Sequence, residues 1–234
     1  MLDDLDRYVG RGAVTSRQAH RAQEGTTFEA SCYTDPLGIE HLTGSLSAAV
    51  AHFGNWDAPV QLRFTTKYAN VEPLLGVQHA GRTRARFSVN AAPAAQRFEG
   101  GTAPLPARLA AMGRLAAAGY PVGLTVAPIM PIPDWREHYA ALLDAAAAAL
   151  AGADAPDLTV ELITHRFTPG SKTVLTGWYP GSSLEMDEEQ RAKKTTKFGS
   201  LKYVYPKDGM AELRSFIEAE VERALPYARR LYWT

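Results

Sequence analysis

The sequence has 234 residues, 46% of them hydrophobic and 21% charged, which is enough apolar material for a sizeable core. Lysine plus arginine and aspartate plus glutamate number 25 each, which excludes a globally basic surface, so any polyanion site must be local. No apolar run reaches membrane-spanning length, the first residues are acidic rather than signal-like, and there is one cysteine. These features predict a cytoplasmic protein without a membrane partner.

Strand-like and helix-like segments alternate along the chain. The predicted strands, in order, are TFEASC, VQLRFTT, RARFSVN, VGLTVAP, LTVELITHRF and KYVYP. The predicted helices that follow them are HLTGSLSAAVAHFG, a short turn near Val71 to Leu75, LPARLAAMGRLAAAG, DWREHYAALLDAAAAAL, SKTVL and MAELRSFIEAEVERAL. Such alternation indicates parallel strands with helical crossovers, hence an α/β fold, either a doubly wound sheet or, as we favour, a partial or full (β/α) barrel.

Two predicted strands carry polar side chains along one face. Because side chains alternate across a strand, one polar row contains Gln61, Arg63, Thr65 and Lys67, and the other contains Arg84, Arg86, Ser88 and Asn90. Strands of a closed barrel usually read as continuous apolar runs, so these rows predict a sheet curved around an open, wet interior. Lys67, Arg86, Ser88 and Asn90 could meet a charged ligand there, although two edge strands with a solvated face are the alternative.

The only cysteine, Cys32, lies close to the carboxyl end of the first predicted strand, in one row with Phe28, Ala30 and Thr34. A single thiol cannot form an internal disulfide and cannot by itself hold a structural zinc ion or an iron-sulfur cluster. Cys32 is therefore either an inert buried residue or a chemically used group, and its position alone leaves both open.

Six segments resemble, in order and approximate spacing, the spore photoproduct lyase family of radical S-adenosylmethionine DNA repair enzymes. They are FEASCYTDPLGIEHLT, LRFTTKY, RARFSVN, VAPI, ELITHRFT and KFGSLKYVY. The resemblance extends from about Phe28 to the terminal LYWT and implies a partial (β/α) barrel of the radical S-adenosylmethionine type. It also implies a lyase that reverts a methylene-bridged thymine dimer in DNA to two thymines, with damaged DNA as partner and S-adenosylmethionine as cofactor.

The resemblance implies roles for individual residues. Cys32 matches the family cysteine that gives a hydrogen atom to the repaired thymine radical. Thr34, Lys67 and Ser88 match positions that hold the methionyl part of S-adenosylmethionine, with Lys67 facing its carboxylate. Asn90, in the same row as Ser88, is assigned to the same cofactor site.

A local candidate for DNA contact lies between residues 191 and 207. Six basic residues occur there without an acid, interleaved with aromatic ones, which suits phosphate contacts and base stacking. The residues assigned to substrate or DNA are Lys193, Lys194, Lys197, Lys202, Tyr203 and Tyr205, with His165 and Arg166 at the end of the preceding strand. A solvated helix end followed by an ordinary barrel strand is the alternative for this stretch, and a structural role is the alternative for His165.

The family's cluster motif, three cysteines in a CxxxCxxC arrangement, does not occur in this sequence. We therefore expect residues 1 to 234 to form a single incomplete domain that lacks the first β/α unit and the iron-sulfur ligands. On that expectation the chain alone does not catalyse the reaction, and the electron donor of the family, such as a flavodoxin or ferredoxin, has no cluster to reduce.

Two other functions compete with this interpretation. One is a cluster-free homologue that binds nucleic acid without catalysis, which predicts salt-sensitive binding through its lysines. The other is a thiol hydrolase that pairs Cys32 with His41 or His165 as base, which requires a depressed thiol pKa and an orienting acid that the sequence does not mark.

Overall fold

The computed structural model describes residues 2–11, 25–31, 33–195 and 199–234. The predictions for Cys32 and Lys197 lie outside these described residues. No helix in the described part of the chain combines the length and apolar character needed to cross a membrane.

Parallel strands in chain order form the main sheet. Its strands are β1 (Thr26–Glu29), β2 (Val60–Thr66), β3 (Thr83–Val89), β4 (Val122–Ile129), β5 (Leu158–Thr164) and β8 (Arg229–Trp233). Every pair of neighbours in this sheet is parallel. The sheet curls into a half-barrel, so the prediction of an α/β partial barrel is confirmed.

Helices follow the strands and cover the outer face of the sheet. The α-helices are α1 (Glu40–Thr43), α2 (Ser45–Asn55), α3 (Glu72–Leu75), α4 (Ala92–Phe98), α5 (Leu105–Ala117), α6 (Trp135–Leu150), α7 (Pro169–Trp178) and α8 (Lys207–Ala224). A 3-10 helix covers Leu2–Tyr8. The single predicted helix HLTGSLSAAVAHFG is divided into α1 and α2 at Gly44, whose φ of 58° suits glycine. Helix α4 was not predicted.

Strand β2 shows how the sequence pattern sets the two faces of the sheet. Val60, Leu62 and Phe64 are buried, whereas Gln61, Arg63 and Thr65 between them are half-buried on the other face. The buried row packs under the helices in one hydrophobic cluster that also includes residues of α2, α5, α6 and α8. The predicted alternation of β2 is therefore confirmed, and its polar row lies on the inner face.

Strand KYVYP was predicted as the last barrel strand, and that prediction is wrong. Its residues form β7 (Leu201–Val204), which pairs antiparallel with β6 (Ala192–Thr195) in a separate hairpin. The last strand of the main sheet is β8, which pairs in parallel with β5. The cause is non-local pairing, because a short β-branched and aromatic run fits either sheet and only its distant partners decide between them.

Candidate functional site

A layer of ion pairs lies on the inner face of the half-barrel. Arg86 on β3 pairs with Glu29 on β1 and, at 3.2 Å, with Glu161 on β5, while Arg63 on β2 pairs with Glu29 at 2.6 Å. The Glu161 side chain is only 3% exposed and also accepts a hydrogen bond from Thr125 Oγ1 at 3.1 Å. Arg86, which was predicted to be open to a ligand, instead joins three strands through charge.

Lys67 follows β2 at the carboxyl edge of the sheet. Its Nζ donates to Glu99 Oε1 at 2.6 Å, and the other oxygen of Glu99 lies 2.8 Å from Nη1 of Arg108. The same nitrogen of Arg108 donates to the backbone oxygen of Ser88 at 2.8 Å. Burial lowers the pKa of Lys67, against the opposing effect of its bond to Glu99. The ammonium group is therefore held in place by a carboxylate that sequence reasoning missed.

Ser88 and Asn90 lie at the end of β3, next to Lys67. Thr66 pairs with Phe87, so Lys67 and Ser88 come next on adjacent strands. Asn90 is 1% exposed; its Nδ2 donates to the oxygen of Pro128, and its Oδ1 accepts from the hydroxyl of Tyr139. The amide of Asn90 is thus used by the fold in this structure, and its contact with a cofactor stays a prediction.

Thr34 lies in the exposed loop after β1. Its backbone nitrogen donates to Ser31 Oγ at 3.0 Å, and its Oγ1 accepts from the Ser31 hydroxyl at 3.3 Å. Asp35, next to it, accepts at 2.7 Å from the backbone nitrogen of Lys67. This bond ties the loop after β1 to the end of β2, so Thr34 and Lys67 belong to one edge of the sheet.

A cavity of about 390 Å³ opens beside the ends of β4 and β5. Its apolar wall includes Phe98, Met130, Ile132 and Leu184, and its polar wall includes His165, Glu185, Gln190 and Arg191. Burial and then the Arg191 charge lower the pKa of His165 to about 4. A histidine with this pKa, and with Nδ1 at 3.1 Å from Arg191 Nη2, is a poor general base, which removes one partner of the hydrolase hypothesis.

The predicted DNA-contact residues fall into two groups. Lys193 and Lys194 are exposed on β6, Arg166 is exposed after β5, and Lys202 lies opposite Lys194 in the hairpin. Burial and the like charges of Arg166 and Lys194 lower the pKa of Lys202. The structure therefore brings Arg166, Lys194 and Lys202 together as a basic cluster.

The two tyrosines form the second group, and Arg191 lies with them. Tyr203 is 4% exposed, stacks on Phe167 with ring centroids 5.1 Å apart, and hydrogen-bonds Glu188. Its ring is not open to a base in this structure, contrary to the prediction. Tyr205 lies under the guanidinium of Arg191, 3.7 Å from its centre, and Arg191 itself is buried. Tyr203 shares its face of the hairpin with its cross-strand partner Lys193, which is exposed, so alternation does not distinguish the buried residues from the lysines.

The matching family model is described as spore photoproduct lyase and covers residues 12–234. The spore photoproduct lyase of Bacillus subtilis (strain 168) is 43% identical over 234 residues, which are 100% of this chain and 66% of that protein. The one from Geobacillus sp. (strain Y412MC61) is 43% identical over 214 residues, 92% of this chain and 62% of that protein. This chain therefore spans somewhat less than two thirds of the length of these relatives.

Solved structures of spore photoproduct lyase agree with the fold. A complex with dinucleoside spore photoproduct superposes with a TM-score of 0.88 and 39% identity, over 100% of this chain and 66% of that one. A mutant with bound AdoMet and dinucleoside spore photoproduct has the same TM-score and coverage, with 38% identity. Because sequence and fold agree over nearly all of the residues, the chain belongs to the spore photoproduct lyase family.

Proposed function

We propose that this chain carries the cofactor and lesion sites of a DNA repair lyase that reverts a methylene-bridged thymine dimer to two thymines. The observation that carries the proposal is the match of the whole chain to a structure that holds both AdoMet and the dinucleoside lesion. A cluster-free nucleic-acid-binding protein is not favoured, because the similarity extends across the site residues rather than only the basic hairpin.

S-adenosylmethionine is proposed to bind at the carboxyl edge of β2 and β3. The positive charge of Lys67 suits the carboxylate of the methionyl group, and Thr34 and Ser88 offer hydroxyl groups nearby. Glu99 is bonded to Lys67, so an incoming carboxylate competes with Glu99 for the same ammonium group. Asn90 is proposed to support this edge through its bonds to Pro128 and Tyr139.

Damaged DNA is proposed to lie across the basic cluster of Arg166, Lys194 and Lys202, with Lys193 and Lys197 adding charge along the same segment. Three cations that repel each other gain most from a polyanion, which supports phosphate as their partner. His165 and Tyr205 line the cavity beneath this segment and are proposed to face the lesion rather than the phosphates.

Cys32 is proposed as the hydrogen-atom donor to the thymine radical, because an S–H bond is weak enough to quench a carbon radical. In the family, S-adenosylmethionine supplies the radical that opens the lesion. The residues of this sequence do not fit the family's iron-sulfur cluster, since such a site takes three thiolates and Cys32 is the only cysteine. The cluster and its electron donor, a flavodoxin or ferredoxin, are thus not assigned to any residue of this sequence.

Binding of S-adenosylmethionine tests the first part of the proposal. Calorimetry with the 234-residue chain is expected to detect binding, and Lys67→Met should weaken it at least about tenfold through the lost charged hydrogen bond. Lys207→Met, at the exposed start of α8, is the matched control and should bind as the unchanged chain does. Equal affinities for the two variants would remove Lys67 from the site.

A repair assay tests the role of Cys32. It uses the protein that is expressed from the whole open reading frame containing these residues. Assayed without oxygen and with a reductant, Cys32→Ala should still cleave S-adenosylmethionine but should return little intact thymine. Normal thymine recovery by this variant would contradict the hydrogen-donor assignment.

A further inference from the structure

Arg191 is a buried guanidinium whose three nitrogens contact Glu185 and His165. Its side chain is 1% exposed, and its Nε donates to Glu185 Oε2 at 2.8 Å. Its Nη1 donates to the backbone oxygen of His165 at 3.0 Å, and its Nη2 contacts both Glu185 and, at 3.1 Å, Nδ1 of His165. The ring of Tyr205 covers the guanidinium from one side. Arg191 is thus held rigidly against one edge of the imidazole.

This contact decides which nitrogen of His165 carries the proton. A guanidinium has only donors and stays charged, so the nitrogen that faces it must be the acceptor. Nδ1 therefore lacks a proton and the neutral ring carries it on Nε2. No described residue is hydrogen-bonded to Nε2, and His165 lines the cavity beside β4 and β5. The ring thus presents an N–H group on the edge turned away from Arg191.

We propose that Arg191, held by Glu185, is a positioning residue that fixes His165 as a neutral Nε2–H donor to an uncharged acceptor of a heterocycle in the cavity. A carbonyl oxygen or a ring nitrogen is such an acceptor. The apolar wall of Phe98, Met130 and Ile132 suits a flat ring of this kind. The identity of that heterocycle rests on the proposed function, in which the thymines of the lesion and the adenine of the cofactor are candidates.

The groups that face His165 keep it neutral over the working range of pH. Burial disfavours the imidazolium, and the charge of Arg191 disfavours it further. Glu185 opposes them, but its carboxylate is engaged by Arg191. Tyr205, beyond the guanidinium, has a pKa raised to about 12 by burial and is uncharged. His165 is therefore neutral, and donates the same hydrogen bond, at pH values well above about 4.

The tautomer is measured directly by ¹⁵N NMR of the imidazole groups in the 234-residue chain. We expect His165 to show a bare Nδ1, a protonated Nε2 and no titration between about pH 8 and about pH 5.5. A proton on Nδ1 of His165, or titration of His165 within this pH range, would overturn the proposal without reference to any ligand.

Two variants separate the guanidinium from its counterion. Arg191→Gln should raise the pKa of His165 by about one unit or more and allow both tautomers, because the obligate donor and its charge are gone. Glu185→Gln keeps a hydrogen-bond acceptor for Arg191 and should leave Nε2 as the protonated nitrogen. A folded Arg191→Gln chain with an unchanged His165 contradicts the proposal. If Arg191→Gln does not fold, the tautomer of His165 measured in the unchanged chain and in Glu185→Gln decides whether the proposal holds.

Ligand binding tests the donor itself. In His165→Asn the side-chain oxygen can replace Nδ1 as the acceptor for Arg191, but the distal donor is lost; in His165→Gln a distal amide donor remains. We expect His165→Asn to bind dinucleoside spore photoproduct or S-adenosylmethionine about tenfold more weakly and His165→Gln to recover part of the loss. Equal binding by both variants contradicts the donor role. If the unchanged chain binds neither probe, the proposed function fails, while the tautomer result stands independently.

Discussion

The two groups of cations at the sheet and the hairpin differ in their partners. On the inner face of the half-barrel, Arg86 and Arg63 lie against the carboxylates of Glu29 and Glu161. In the basic cluster, Arg166, Lys194 and Lys202 have no ion pair with a carboxylate among the described residues, and Lys202 is influenced by like charges. A buried cation destabilises the fold unless a counterion pairs with it. A cluster of cations at the surface, in contrast, attracts an anion from outside the protein.

The largest effect is expected from removing the central charge of the inner face. Arg86→Met leaves Glu161 buried without a cation and should lower the free energy of unfolding by about 3 to 5 kcal/mol. Arg114→Met is the matched control, because Arg114 pairs with Glu72 where the side chains are 46% and 62% exposed. Its loss should stay within about 1 kcal/mol in the same urea titration. Similar losses of stability from the two variants would show that burial of the carboxylate does not increase the cost of removing its cation.

A smaller effect, on binding rather than on folding, is expected from the basic cluster. Replacing both Lys194 and Lys202 by Gln should weaken DNA binding and lower the slope of log affinity against log salt by about one per lysine. Arg223→Gln is the control, since Arg223 is paired with Asp144 and Glu220 on another surface. An unchanged salt slope in the double variant would show that the cluster does not contact phosphate.

The smallest effect is a gain in stability from removing one of the repelling charges. Lys202→Gln should raise the free energy of unfolding by a few tenths of a kcal/mol at low salt, because solvent screens most of the repulsion. Burial and like charges lower the pKa of Lys202, so its charged form is disfavoured in the fold. The gain should disappear in thermal unfolding at high salt, and a loss at every salt concentration would contradict it.

Local pattern is sufficient to predict β1 to β5 of the half-barrel but not β8. The strict alternation of VQLRFTT defines the two faces of β2, and the polar rows alone place Lys67 and Ser88 at one edge of the sheet. The site residues that sequence reasoning missed act through distant partners. Glu99 contacts Lys67 from 32 positions away, and Arg191 reaches His165 across 26. Both separations exceed the windows of about 11 to 18 residues over which periodicity is read, so the sequence pattern could not show these contacts.

In the hairpin, too, the sequence pattern does not predict which side chains are buried. Lys193 and Tyr203 are cross-strand partners, yet one is exposed and the other is 4% exposed under Phe167 and Glu188. The charge run from 191 to 207 therefore contains buried and exposed residues that composition treats alike. The register of β6 and β7 does not separate Lys193 from Tyr203, because cross-strand partners share a face; the contacts of Phe167 and Glu188 with Tyr203 do.

The order of the strands bears on how the chain folds during synthesis. From β1 to β5 each strand pairs with the one made just before it, so the sheet can grow as the ribosome releases the chain. The last pairing does not follow this rule, because β8 joins β5 only after the hairpin and α8 have been made. The backbone oxygen of Thr234 accepts from the nitrogen of Thr164 at 2.7 Å, directly before His165. His165 in the cavity wall therefore follows a strand whose last pairing can form only after β8 has been made.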